Sequence, residues 1–187
     1  MGKKKYAFPE SVTADDIRRF RKQQELTQAE LGSLLGVSTK TIERWESSKA
    51  AVTGPLVPLI TIFQEQQDLA RQYEVPPLEE PVRLWYMFRS QACTIIDVNE
   101  RTRRVRIHNF TRHPQLRAFG INDSPTFEEY EDFLKERCFP EERDKMKLML
   151  KNLNLPFYDP FLIIEKTEGR MAEDEFWIRI ERRESGL

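Results

Sequence analysis

Between residues 38 and 49 the chain places Thr39, Lys40, Thr41, Glu43 and Arg44 around Ile42 and Trp45. At 3.6 residues per turn, Ile42 and Trp45 share one face and the polar residues occupy the other. The polar set is long and tipped with hydrogen-bond donors and acceptors. Lysine and arginine suit the O6 and N7 acceptors of guanine, and glutamate suits the amino group of cytosine. The chemistry these types support is hydrogen bonding to base edges, with no bond made or broken. The competing reading is an ordinary solvated helix face.

Covalent and metal chemistry finds less support. The two histidines, His108 and His113, lack H-x-x-x-H spacing, and Cys93 and Cys138 form no C-x-x-C pair. A metal site, a cofactor and enzymatic activity are therefore not expected. A nuclease core wants a carboxylate two residues before a lysine on a strand. Glu165 directly adjoins Lys166, and if Leu162–Lys166 is a strand the two point to opposite faces. A DNA-processing enzyme in residues 82–187 stays a rival on composition alone.

The elements that position residues 38–49 follow from caps and spacing. Thr13-Ala-Asp-Asp16 starts a first helix with Ile17 and Phe20 on one face. Thr27-Gln-Ala-Glu30 is a capping box, opening a second helix with Leu31, Leu34 and Leu35 inward. Gly36 suits a left-handed turn, and Ser38 caps a third helix. A fourth helix after Pro55 buries Leu56, Leu59, Ile60 and Phe63, with Pro55 and Pro58 near its start. Two short helices joined by a glycine turn to a capped third read as a helix-turn-helix.

The string Leu26-Thr-Gln-Ala-Glu-Leu-Gly-Ser-Leu-Leu-Gly-Val-Ser-Thr-Lys-Thr-Ile-Glu-Arg-Trp-Glu46 resembles the phage Cro/repressor-like family, also called XRE, over residues 13–65. Gly32 departs from the alanine common there, at a helix cost of about 0.5–1 kcal/mol. The resemblance implies that the N-terminal half of the third helix enters the major groove of double-stranded DNA. It assigns base reading to Thr39, Lys40, Glu43 and Arg44, with Thr41 on the same face. It assigns phosphate contacts to Gln28 and Ser38, with Lys49 as a further candidate. It also implies that Arg21 and Glu46 pair structurally. The implied function is a sequence-specific transcriptional regulator, a repressor type acting as a homodimer on a palindromic operator. An antitoxin or adaptor that autoregulates its promoter and grips a protein through residues 82–187 is the alternative.

Composition fits this reading. The 187 residues are 39% hydrophobic and carry a formal charge of −1. Residues 1–50 hold ten Lys/Arg against seven Asp/Glu, whereas 71–187 hold twenty against twenty-two. The positive excess thus lies beside the candidate interface, where local charge sets the encounter field. Lys3, Lys4 and Lys5 suggest an arm along the DNA backbone, or a merely solubilising start. No secretory leader or membrane span is read, and the cysteine pattern suggests a reduced, cytoplasmic protein.

The predicted organisation is α+β. An all-α helix-turn-helix domain (1–72) precedes a proline-rich linker (73–81) and an accessory domain (82–187). The accessory domain is expected to be an antiparallel sheet with two helices. A strand at Leu84–Phe88 precedes a hairpin, Thr94–Val98 with Arg104–His108. Thr126-Phe-Glu-Glu129 caps a helix carrying Phe127, Tyr130 and Leu134. Pro140 opens another, with Met146, Met149, Leu150 and Leu153 inward. Leu162–Lys166 and Phe176–Ile180 read as a second hairpin. Six arginines between 101 and 117 are either a second nucleic-acid surface or, the favoured reading, a solvated face paired with acids such as Glu165 or Glu181.

Overall fold

The computed structural model describes residues 5–66 and 68–183 and divides into two compact units between Glu74 and Val75. In the first unit, α1 (Ala14–Gln23), α2 (Gln28–Leu35), α3 (Thr39–Ser47), α4 (Leu56–Glu65) and the short α5 (Leu69–Gln72) follow one another. Capping boxes start α1 and α2: Thr13 and Thr27 accept from the amides of Asp16 and Glu30, whose carboxylates accept the cap amides in return. Gly36 ends α2 with φ 67°, in the left-handed region glycine enters without steric cost. Ile17, Phe20, Leu31, Ile42, Leu56, Val57, Ile60 and Phe63 form the core, with Trp45 packed against it. A two-residue bridge between Val12 and Val52 ties the start of the unit to the segment after α3.

Leu59, expected inside, is 38% exposed. Val57 is buried in its stead, which rotates the apolar arc of α4 away from Leu59.

The second unit is a four-stranded antiparallel sheet with helices, and the chain is α+β. Its strands are β1 (Val82–Phe88), β2 (Gln91–Asn99), β3 (Arg104–Asn109) and β4 (Phe176–Arg182), in the order β3-β2-β1-β4. Leu84, Tyr86, Ile96, Val98 and Ile178 on one face pack with Tyr130, Phe133, Leu134 and Ile164. Those last four come from α6 (Phe127–Glu136) and α8 (Pro160–Thr167). The hairpin at 94–109 lies where the alternation puts it, with Ile95 opposite His108 and Val98 opposite Val105.

Residues 162–166 are helical, which corrects the expected second hairpin and raises the α-helices described in this unit from two to three. Asp159 accepts from the Leu162 amide at 3.0 Å, and Pro160 occupies the first turn, where its missing N–H costs nothing. Ile163 and Ile164 are both fully buried. Neighbours on a helix are about 100° apart and both can reach one core, whereas on a strand they oppose. Strand β4 instead closes against β1, pairing Val82 with Arg182 and Phe88 with Phe176.

Two smaller expectations also change. Pro140 does not open a helix: α7 (Met146–Asn152) starts after Lys145, whose φ of 63° breaks the run. Met146, Met149, Leu150 and Leu153 are only half-buried, and Leu148 is 54% exposed. Arg137, itself buried, organises the approach to β4. Its guanidinium donates to the carbonyls of Gly169 and Phe176 and pairs with Asp174 at 2.5 Å. No helix among the described residues is long and apolar enough to cross a membrane.

Candidate nucleic-acid interface

Helix α3 carries the candidate residues as one stripe. Ser38 caps it, accepting from the Thr41 amide at 3.2 Å and sharing a 2.9 Å hydroxyl–hydroxyl hydrogen bond with Thr41. Thr39, Lys40, Glu43, Arg44 and Ser47 are exposed, while Thr41 is half-buried beside its cap. Exposed positions spaced by one and four residues form one continuous face of a helix. Among the described residues, the side chains of Lys40, Glu43 and Arg44 make no ion pair, so their charged tips stay available to a partner.

The opposite face of α3 is locked. Ile42 is fully buried and Trp45 lies against the core. Glu46, 6% exposed at its side chain, meets the Arg21 guanidinium through two contacts, at 2.7 and 3.1 Å. Arg21 also donates to the Leu26 carbonyl, ahead of α2. The Gln28 amide donates to Glu46 at 2.8 Å, and Arg18 donates to the Glu46 backbone carbonyl at 2.9 Å. Glu46 thus fixes α3 to α1 and to the first turn of α2. Burial pushes its carboxyl upward, but Arg21 and Gln28 outweigh that and hold it below the usual glutamate value.

The structure brings Arg21 and Glu46 together as a bidentate pair. Gln28 is joined to the same cluster by one amide hydrogen, and a primary amide has a second to offer. Ser38 and Lys49 are exposed at the two ends of α3. Sequence reasoning missed Arg18 and Ser47. The contact of Arg18 spans 28 residues and leaves no local pattern. Ser47 extends the outer stripe, although its hydroxyl donates back to the Glu43 carbonyl at 2.7 Å. Lys5 is exposed, and Lys3 and Lys4 fall outside the described residues.

The arginine run of the second unit is largely paired. Arg103 meets Glu128 and Glu131, Arg104 meets Glu80, Arg106 meets Glu79, and Arg117 meets Asp123. The acids differ from those expected: Glu165 takes Arg182, and Glu181 accepts the Trp85 indole N–H. Glu165 and Lys166 lie on α8, so the strand argument about them does not apply.

Residues 17–60 match the family model described as Helix-turn-helix. The match spans α1 to the middle of α4 and supports DNA binding by this unit. No curated protein matches the chain.

Proposed function

We propose that this protein is a sequence-specific regulator of transcription that lays α3 in the major groove of double-stranded DNA. Thr39, Lys40, Thr41, Glu43 and Arg44 read base edges, and Gln28, Ser38 and Lys49 hold phosphates. The observation that carries this reading is the two-sided character of α3. One face is polar and exposes the charged tips of Lys40, Glu43 and Arg44, and the other is fixed by Ile42, Trp45 and the Glu46 cluster. A rigid support lets side chains meet base edges without first being ordered, which lowers the entropic cost of binding. Action as a homodimer on a two-fold operator follows the symmetry of such modules.

The test is operator selection from random duplexes, followed by titration of variants. Lys40→Ala and Arg44→Ala are each expected to lose about 1–3 kcal/mol of specific binding, with relaxed preference at one base pair. Parental affinity and preference in both variants would remove α3 as the reading element.

The exposure of Leu148 and Phe157 on the second unit favours one further reading, that this unit grips a protein. An antitoxin or adaptor would have this build. A second chain purifying stoichiometrically with the protein, and lost on Leu148→Asp, is the result that reading requires.

A further inference from the structure

Between α6 and α8 the chain makes an excursion, residues 139–158, away from the core of the second unit. Its neck is tied where the Tyr158 hydroxyl donates to the Phe139 carbonyl at 3.0 Å. Helix α7 lies inside the excursion and lacks both supports that its neighbours have. A capping box starts α6 and Asp159 caps α8, whereas no side chain caps α7. No residue of α7 enters the core or packs against it. A helix shorter than about 12–15 residues is marginal in water and owes its stability to packing. Met146, Met149, Leu150 and Leu153 are only half-buried, and Leu148 and Phe157 are exposed.

The charges along the excursion are sorted. Residues 141–144 hold three acids, Glu141, Glu142 and Asp144, against Arg143. Residues 145–151 hold Lys145, Lys147 and Lys151 and no acid. All of these side chains are exposed, and among the described residues none makes an ion pair. The dipole of α7 does not account for the sorting, because no acid lies in its first turn. A strip with an acidic end, an apolar middle and a basic end is complementary to the same strip turned around. In a two-fold contact each patch meets its own copy, so that residue i faces j while j faces i. Glu142 and Asp144 of one chain then lie against the partner's Lys147 and Lys151, with Leu148 near the axis. A strip that matches itself selects a second copy over a foreign protein.

We propose that residues 141–157 are the surface through which two copies of this chain pair. The inference rests on the homodimer of the proposed function and deepens it by naming the segment that makes it. The sorted charges fix an antiparallel register, and Leu148 and Phe157 supply the apolar contact. A standard interface takes roughly 20–30 residues a side, more than this strip offers. Pairing is therefore weak in free solution and is strengthened when two half-sites hold the chains side by side and raise their effective concentration.

The test follows the full chain by sedimentation from micromolar to millimolar concentration, without DNA. The parent is expected to pass from monomer to dimer across that range. Two exchanged chains probe the register. One carries Glu142→Lys with Asp144→Lys, the other Lys147→Glu with Lys151→Glu, and all four positions are exposed. Each alone should pair at least about tenfold more weakly, because every reversed charge counts twice in a two-fold contact. Mixing the two should restore pairing, since acid again meets base on both sides of the axis, and that recovery also shows both variants to be folded. A parent that stays monomeric throughout, exchanged chains that pair as the parent does, or a mixture that pairs no better than its components overturns the proposal. With no DNA present, such a failure leaves base reading by α3 untouched, which the Lys40→Ala and Arg44→Ala titrations decide separately.

Discussion

Glu46 carries more structural consequence than any base-reading candidate, because three side chains from two helices converge on it. Its carboxylate holds Arg21 and Gln28, and its carbonyl holds Arg18. Replacing it with glutamine leaves the Arg21 guanidinium, 18% exposed, facing a neutral amide. Breaking a buried pair by removing one partner costs about 3–5 kcal/mol, and the residual exposure of Arg21 moves the expectation to the lower end, about 3 kcal/mol. The pH dependence has a definite sign. The folded-state pKa of Glu46 lies below its ordinary value of 4.5. Its contribution is therefore complete above that value and is lost as pH falls through the folded-state pKa. Urea melts of the first unit across this range should show an acid limb in the parent that is shallower in Glu46→Gln. Equal limbs would mean that other carboxylates govern the acid response.

The turn between α2 and α3 depends on how closely two backbones approach. A Cβ added at Gly32 would lie 2.8 Å from the Val37 carbonyl oxygen and 3.4 Å from the Thr39 nitrogen. Those atoms are backbone and cannot swing aside as a side chain would. Alanine gains about 0.5–1 kcal/mol of helix propensity, but overpacking costs about 1–3 kcal/mol. Gly32→Ala should therefore lose about 1 kcal/mol of stability and displace the start of α3, weakening DNA binding as well. A rise in stability on chemical denaturation would show that the turn yields freely. This contact was not legible in the sequence, where Gly32 reads only as a weak helix residue. What was legible had a local physical origin: the Thr27–Glu30 box, the Ser38 cap, the Gly36 turn and the opposed faces of α3. The Arg21–Glu46 pair came from the motif and its geometry from the structure, while Arg18 on the Glu46 carbonyl left no local trace. Residues 162–166 misled because a four-residue apolar run suits either a strand or a buried helix. The deciding signal was Asp159-Pro160 just before it, a cap followed by a first-turn proline.

At the scale of the whole chain, two cores share no buried residue. Ile42 belongs to the helical unit and Ile164 to the sheet unit, and both are fully buried. The two substitutions Ile42→Ala and Ile164→Ala each remove the same atoms, and each should cost about 2–5 kcal/mol in its own core. If the cores unfold separately, heating should give two transitions, with each variant lowering one of them. The functional consequence should divide in the same way. Ile42 lies behind the exposed polar stripe of α3, so under the proposed function its loss should loosen that helix and weaken operator binding even well below the melting temperature. Ile164→Ala should leave the affinity of a single α3 for its half-site unchanged. Binding to the full two-fold operator then reports the other unit: a selective loss there in Ile164→Ala would place the pairing of two chains in the sheet unit, whereas parental binding would place it in the helical one. Calorimetry with titrations on half and full operators makes this separation. A single transition, shifted equally by both variants, would show instead that the two cores fold as one.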